Sequence, residues 1–183
     1  MLSASYLQGL DTVEFTIPGI YYVRHSRRPD SFRILSTHRD GTRNKGQLFA
    51  QLAADGQIEK PGTWEFHHVV EGQHFADIDH LGQLPGIYKD GLPCVLLAQE
   101  EHRAYNSLLH SGAADELFRS SSPHIPLART SSPALQSGTR SRSDAFRLRI
   151  DDLRLMYRSA YDGDLVLQTI ASNVLDLTAT TLS

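Results

Sequence analysis

Two short apolar runs, TWEFHHVV at 63–70 and LPCVLL at 92–97, constrain this chain more than any other feature, because the second leads straight into QEEHRAYNSLLH. Apolar runs of this length bounded by Pro and Gly read as strands. In the first, Trp64, Phe66 and His68 fall on one face, and Glu65 and His67 on the other, since side chains alternate along a strand. The following segment reads as a helix. Glu100 and Glu101 favour its first turn, and Gly112 follows its end. Ala104 and Leu108, with Tyr105, are its expected inward face. Residues 71–92 carry four glycines and a proline and few strand signals, so they read as a long loop of the functional kind.

The flanking segments supply support. Val13, Phe15 and Ile17, then Ile20 to Val23, alternate as strand residues, with Pro18-Gly19 as the break. SFRILS reads as another strand, and HRDGTRNKG as a turn with Asp40-Gly41 at its tip. QLFAQLAADG is a short helix with Leu48, Phe49 and Leu52 on one face and Gly56 as its C-cap glycine. From Ser120 to Ser143 the composition shifts to Ser, Thr, Pro and Arg, the mark of an irregular linker or arm. Phe146, Ile150, Leu153 and Tyr157 then recur at helical spacing, Gly163 interrupts, and Leu167, Ile170, Val174 and Leu177 line a final helix. The expected fold class is α+β in a single domain over 1–183. It comprises a β-rich lead-in (1–60), a strand–loop–strand–helix core (61–118), a linker (119–143) and a C-terminal helical pair (144–183), which offers too little core to stand alone.

Composition excludes several classes. No stretch approaches the roughly 18 apolar residues that span a bilayer, so no membrane segment is expected. The N-terminus lacks the basic and apolar regions of a secretory signal, so the chain is expected in the cytoplasm unless a specialised system exports it. The lone Cys94 rules out an internal disulfide and a CxxC zinc site. The net charge of −3 does not by itself suggest a nucleic-acid binder. Its distribution is more telling. Arginines crowd 24–43 and 119–158, while residues 55–101 hold many carboxylates and only Lys60 and Lys89 as basic residues other than those flanks. Arginine binds phosphate bidentately. Two basic flanks beside an acidic, metal-attracting centre is therefore the functional reading, and solvated faces paired with Asp and Glu the structural one.

The residues WEFHHVVEGQHF and LPCVLLAQEEHRAYNSLLH resemble the HNH (ββα-metal) nuclease superfamily, most closely its bacterial toxin branches. There a double histidine ends the first strand and "eeH" opens the helix. The resemblance covers about a quarter of the chain. It implies a ββα-metal core, with His67 at a metal-ligand position, His68 as general base, and His102 and Asn106 as the closing ligands. It further implies one divalent metal, with Mg²⁺ the first choice and Zn²⁺, Mn²⁺ or Ni²⁺ as substitutes. Its substrate would be DNA ahead of RNA, and its setting the toxic domain of an antibacterial effector with a cognate immunity protein. The acidic 71–91 loop and the basic flanks are the candidate immunity surfaces. Arg103, Arg43 and Arg119 are candidate phosphate contacts, and Glu65 and Glu71 candidate carboxylates that orient a ligand histidine. Two features depart from the family pattern. No Asn stands near Pro93, where a bracing Asn belongs, leaving that role to backbone groups or Asp90. The loop is also long, so His74, Asp77, Asp79, His80 and His110 remain alternative ligands.

The chemistry is coherent without the resemblance. Phosphodiester hydrolysis needs an activated water and a cation to neutralise developing charge. Adjacent residues of a strand end point to opposite faces, so one imidazole can serve the metal and the other the water. Residues 102 and 106 project from one helix face a turn apart, which suits two ligands to one ion. A neutral imidazole with its usual pKa near ~6.5 works as a base at cellular pH. Two rival readings stand beside this one. The first is a non-catalytic module with a structural zinc held by His67, His102 and Asn106 or His110. The second is a metal hydrolase acting on small phosphoesters.

Overall fold

The computed structural model describes residues 5–36, 45–59, 61–71, 92–110 and 142–181. The expected turn at Asp40-Gly41, the 72–91 loop and the Ser/Pro/Arg segment up to 141 lie outside these residues. Among the described residues five strands form one antiparallel sheet: β1 (Asp11–Glu14), β2 (Ile20–His25), β3 (Arg28–Ser36), β4 (Trp64–His68) and β5 (Cys94–Ala98). Their order is β1-β2-β3-β5-β4. Among the described residues four α-helices accompany them: α1 (Lys45–Ala54), α2 (Gln99–His110), α3 (Arg142–Ala160) and α4 (Leu165–Thr181). The architecture is α+β.

β1 ends at Glu14, earlier than the alternation of Phe15 and Ile17 suggests. Gly19 takes φ 79° in the turn to β2, a conformation L side chains rarely adopt. α1 ends where its glycine predicts. Gly56 has φ 69°, its N–H reaches Ala53 O, and Gln57 N–H reaches Leu52 O at 2.8 Å, the two bonds of a Schellman cap. α3 begins at Arg142, two residues ahead of the expected start.

Strand alternation divides the sheet into two buried faces. On one, Val23, Leu35, Val95 and Leu97 pack with Ile150, Leu153, Tyr157 and Tyr161 of α3 and its C-terminal turn, and with Leu167 and Ile170 of α4. On the other, Ile20, Ile34 and Leu96 meet Leu48, Phe49 and Leu52 of α1. Each such fully buried aliphatic side chain contributes about 1.5–3 kcal/mol. The β3–β5 pairing, Leu35 opposite Val95 and Ser36 opposite Cys94, joins the N-terminal strands to the histidine-bearing pair in one continuous sheet.

α2 starts at the residue after β5, so the strand fixes the helix's rotation. Its inward face differs from the apolar one expected. Ala104 is exposed and Leu108 is 50% exposed, while His102, Tyr105 and Asn106 are half-buried and Leu109 is buried. The polar side chains turn inward because partners await them there. Arg33 of β3 forks onto Glu101 at 2.6 and 3.0 Å, and Glu65 of β4 meets His102. No described helix is long and apolar enough to cross a membrane.

Candidate metal centre

β4 and β5 pair antiparallel, with Glu65 opposite Leu97, His67 opposite Val95 and His68 opposite Cys94. This register puts Glu65 and His67 on the face covered by α3 and α4. It puts His68 and Cys94 on the other. The chain then turns directly from β5 into α2, bringing that helix's first turns back beside the end of β4.

The outcome is a close pair of histidines. The rings of His67 and His102 lie with centroids 4.9 Å apart and planes inclined at 58°. His67 is buried at 4% exposure. Its Nε2 stands 3.1 Å from the Tyr161 hydroxyl, which donates to Val69 O at 2.7 Å. His102 Nδ1–H donates to Glu65 Oε2 at 2.5 Å, and Gln99 Nε2 donates to Glu65 Oε1 at 3.3 Å. At the far side of the same ring, Asn106 Nδ2 approaches His102 Nε2 at 3.2 Å. His102 and Asn106 thus meet on one helix face, as a four-residue spacing dictates.

His68 is the exposed member of the doublet. Desolvation lowers its pKa below the ordinary imidazole value, and the carboxylate of Glu71 opposes that shift. Its Nδ1 lies 3.2 Å from Cys94 Sγ. Burial pushes the Cys94 thiol up to about 12, so the sulfur stays protonated, and its S–H points to Leu92 O at 3.7 Å. The imidazole tautomer sets which of His68 Nδ1 and Cys94 Sγ donates across their 3.2 Å contact.

Several neighbours carry no signal as site residues in the sequence. Tyr105 stacks near His67 (6.4 Å) and edges onto Tyr161 (5.0 Å). Burial, then the charge of Asp164, pushes its phenol up to about 12. The Tyr157 hydroxyl accepts the Glu71 backbone N–H at 2.8 Å. Arg33 Nε donates to Asp164 Oδ2 at 2.7 Å while its other nitrogens hold Glu101. Burial disfavours the Arg33 charge, but the two carboxylates outweigh it and hold the guanidinium firmly protonated. Asp164 Oδ1 in turn caps α4 through Leu167 N–H at 3.0 Å. The i, i+4 spacing of Tyr157 and Tyr161 was the one available clue, and it reads equally well as core.

Of the residues singled out from sequence, His67, His102, Asn106 and Glu65 converge. Glu71 sits electrostatically against His68, and Arg103 is exposed on the outer side of α2. Arg43, Arg119, His74, Asp77, Asp79, His80 and Asp90 lie outside the described residues, as does the His110 side chain. Among the described residues no group of three or more His, Cys, Asp or Glu side chains stands ready to hold a metal. The converging set has two imidazoles, and its third member is an amide. That set suits a divalent ion chemically. With Nδ1 of His102 bonded to Glu65, Nε2 is the nitrogen that would meet a metal, in the carboxylate–histidine arrangement common around metals. A half-turn of the Asn106 amide presents its oxygen at the point its nitrogen now occupies. No family model, no curated protein and no solved structure matches the chain.

Proposed function

We propose that this chain is a metal-dependent endonuclease of the ββα type that hydrolyses nucleic-acid phosphodiesters, DNA ahead of RNA. We place it as the toxic domain of a bacterial antibacterial effector, held in check by an immunity protein. The observation that carries the nuclease reading is the 4.9 Å approach of the His67 and His102 rings between a strand end and the helix that follows its partner strand. The toxin and immunity assignments rest on the resemblance of the double-histidine strand and the opening of α2 to the toxin branches, and on that alone.

In this reading His67, His102 and Asn106 hold one divalent ion, Mg²⁺ by first choice. When bound, such an ion neutralises charge on the phosphate and leaving oxygen. His68 does the proton work. It is exposed, and desolvation lowers its pKa, which favours the neutral base. A positioned base of this kind contributes about 10²–10⁴-fold. Glu65 holds the His102 ring in the orientation that presents Nε2. Arg103 supplies an exposed guanidinium on α2 for the phosphate backbone, and Arg43 and Arg119 are the further candidate phosphate contacts.

Supercoiled plasmid and a structured RNA, each incubated with EDTA-stripped protein and then with Mg²⁺, Mn²⁺ or Zn²⁺, test the reading. Metal-dependent nicking that His68→Ala abolishes is expected. If the protein takes up one tightly held zinc and cleaves neither nucleic acid, it is the binding module with a closed structural site. If only small phosphoesters are hydrolysed, the nucleic-acid substrate is wrong.

A further inference from the structure

We infer that Tyr161, delivered by the C-terminal end of α3, is a positioning residue that fixes which nitrogen of His67 carries the proton. The hydroxyl stands between two groups, His67 Nε2 at 3.1 Å and Val69 O at 2.7 Å. It has a single hydrogen. Were that hydrogen given to His67, the phenol oxygen would face the Val69 carbonyl oxygen lone pair to lone pair at 2.7 Å inside a site where neither is hydrated. Tyr161 and Val69 are both fully buried. The hydrogen therefore goes to Val69 O, and the phenol oxygen accepts Nε2–H from His67. A neutral His67 then carries its lone pair on Nδ1.

Packing holds the phenol in place. Tyr161 is flanked by Tyr105 and Tyr157 with ring centroids at 5.0 and 5.7 Å. Tyr157, one turn earlier on α3, ties the chain just past the doublet through Glu71 N–H at 2.8 Å. The two hydroxyls bracket the exit of β4, so α3 with its C-terminal turn forms part of the candidate centre as well as of the core.

The consequence for metal rests on the nuclease reading. His67 ligates through Nδ1 and His102 through Nε2, each with its other nitrogen held by a protein acceptor, Tyr161 and Glu65 respectively. The first of these acceptors has no counterpart among the sequence-level candidates.

The test uses the full chain labelled with ¹⁵N-histidine and free of metal. Long-range ¹⁵N–¹H correlation reads the protonated nitrogen of each ring, with His67 assigned by loss of its signals in His67→Gln. The wild type is expected to show His67 as the pure Nε2–H tautomer at pH 8. Tyr161→Phe keeps the ring packing and removes the acceptor, so His67 should shift to a mixture of tautomers while the signals of His25 stay in place. An Nδ1–H tautomer in the wild type, read without Tyr161→Phe, overturns the proposal. So does an unchanged His67 in Tyr161→Phe. Titration with Mn²⁺ then separates this inference from the reading beneath it. Tyr161→Phe should weaken binding about 10–100-fold, the usual cost of losing an outer partner of a ligand histidine. A wild type that binds no metal defeats the nuclease reading and leaves the tautomer result to decide this one.

Discussion

Glu65 and His102 are joined by a 2.5 Å bond from Nδ1–H to Oε2 that ties the edge strand β4 to the first turn of α2. A histidine held this way presents Nε2 in one direction, as the outer partner of a ligand histidine does. Glu65→Gln keeps an acceptor oxygen but removes the charge. Metal affinity is therefore expected to fall about 10–100-fold, with little change in the urea midpoint. A calorimetric titration of both proteins checks this. Equal affinities would show that Glu65 does not tune the ring.

The pH dependence of cleavage should report His68. Its pKa is lowered by desolvation, so the base is lost only when pH falls below the ordinary imidazole value of 6.5. The rate kcat/KM should hold steady from pH 8 to 7 and fall on an acid limb whose midpoint lies below 6.5. A midpoint above 6.5 would mean that another group titrates. His68→Ala should lose about 10²–10⁴-fold in rate and retain metal binding, because the residue is not among the ligands.

Cys94 faces His68 at 3.2 Å and could be mistaken for a nucleophile beside its base. Burial at 4% exposure and a thiol pushed up to about 12 argue the reverse, since only the thiolate attacks. The native protein should react with a disulfide reagent at pH 8 far more slowly than the same protein in urea. Rapid reaction of the folded chain would contradict a buried, protonated Cys94 beside His68.

Much of the fold is written in local signals. Gly56 marks the end of α1, Gly163 separates α3 from α4, and the helical spacing of Ile150, Leu153 and Tyr157 gives a buried face. The doublet's two faces follow from strand alternation alone. The phase of α2 was not legible, because Ala104 and Leu108 are the apolar choices and yet lie outward. What turns the helix is polar and distant: Glu65 on one strand and Arg33 on another. The contact between His67 and Tyr161 is equally hidden, since the two are 94 positions apart and no local pattern pairs them. Cys94 became a neighbour of His68 only once the β4–β5 register was known.

Arg33 links β3, α2 and α4 through Glu101 and Asp164. Its side chain is 21% exposed, Glu101 31% and Asp164 7%, so the cluster lies between a surface pair and a buried one. Breaking a buried pair from one side costs about 3–5 kcal/mol, and an exposed pair about 0–1. Arg33→Ala should accordingly destabilise the fold by about 2 kcal/mol, read from urea unfolding. It should also weaken metal binding, because Glu101 adjoins His102. A loss below about 0.5 kcal/mol would show that the cluster is not what orients α2.

Calorimetric titration of Mn²⁺ into EDTA-stripped protein, wild type beside His102→Ala, tests the metal centre most directly. One equivalent should bind the wild type, and the His102→Ala variant should bind more than about 100-fold more weakly, beyond the loss expected for an outer partner. No binding to the wild type, or equal binding to both proteins, would contradict a metal held between the end of β4 and α2.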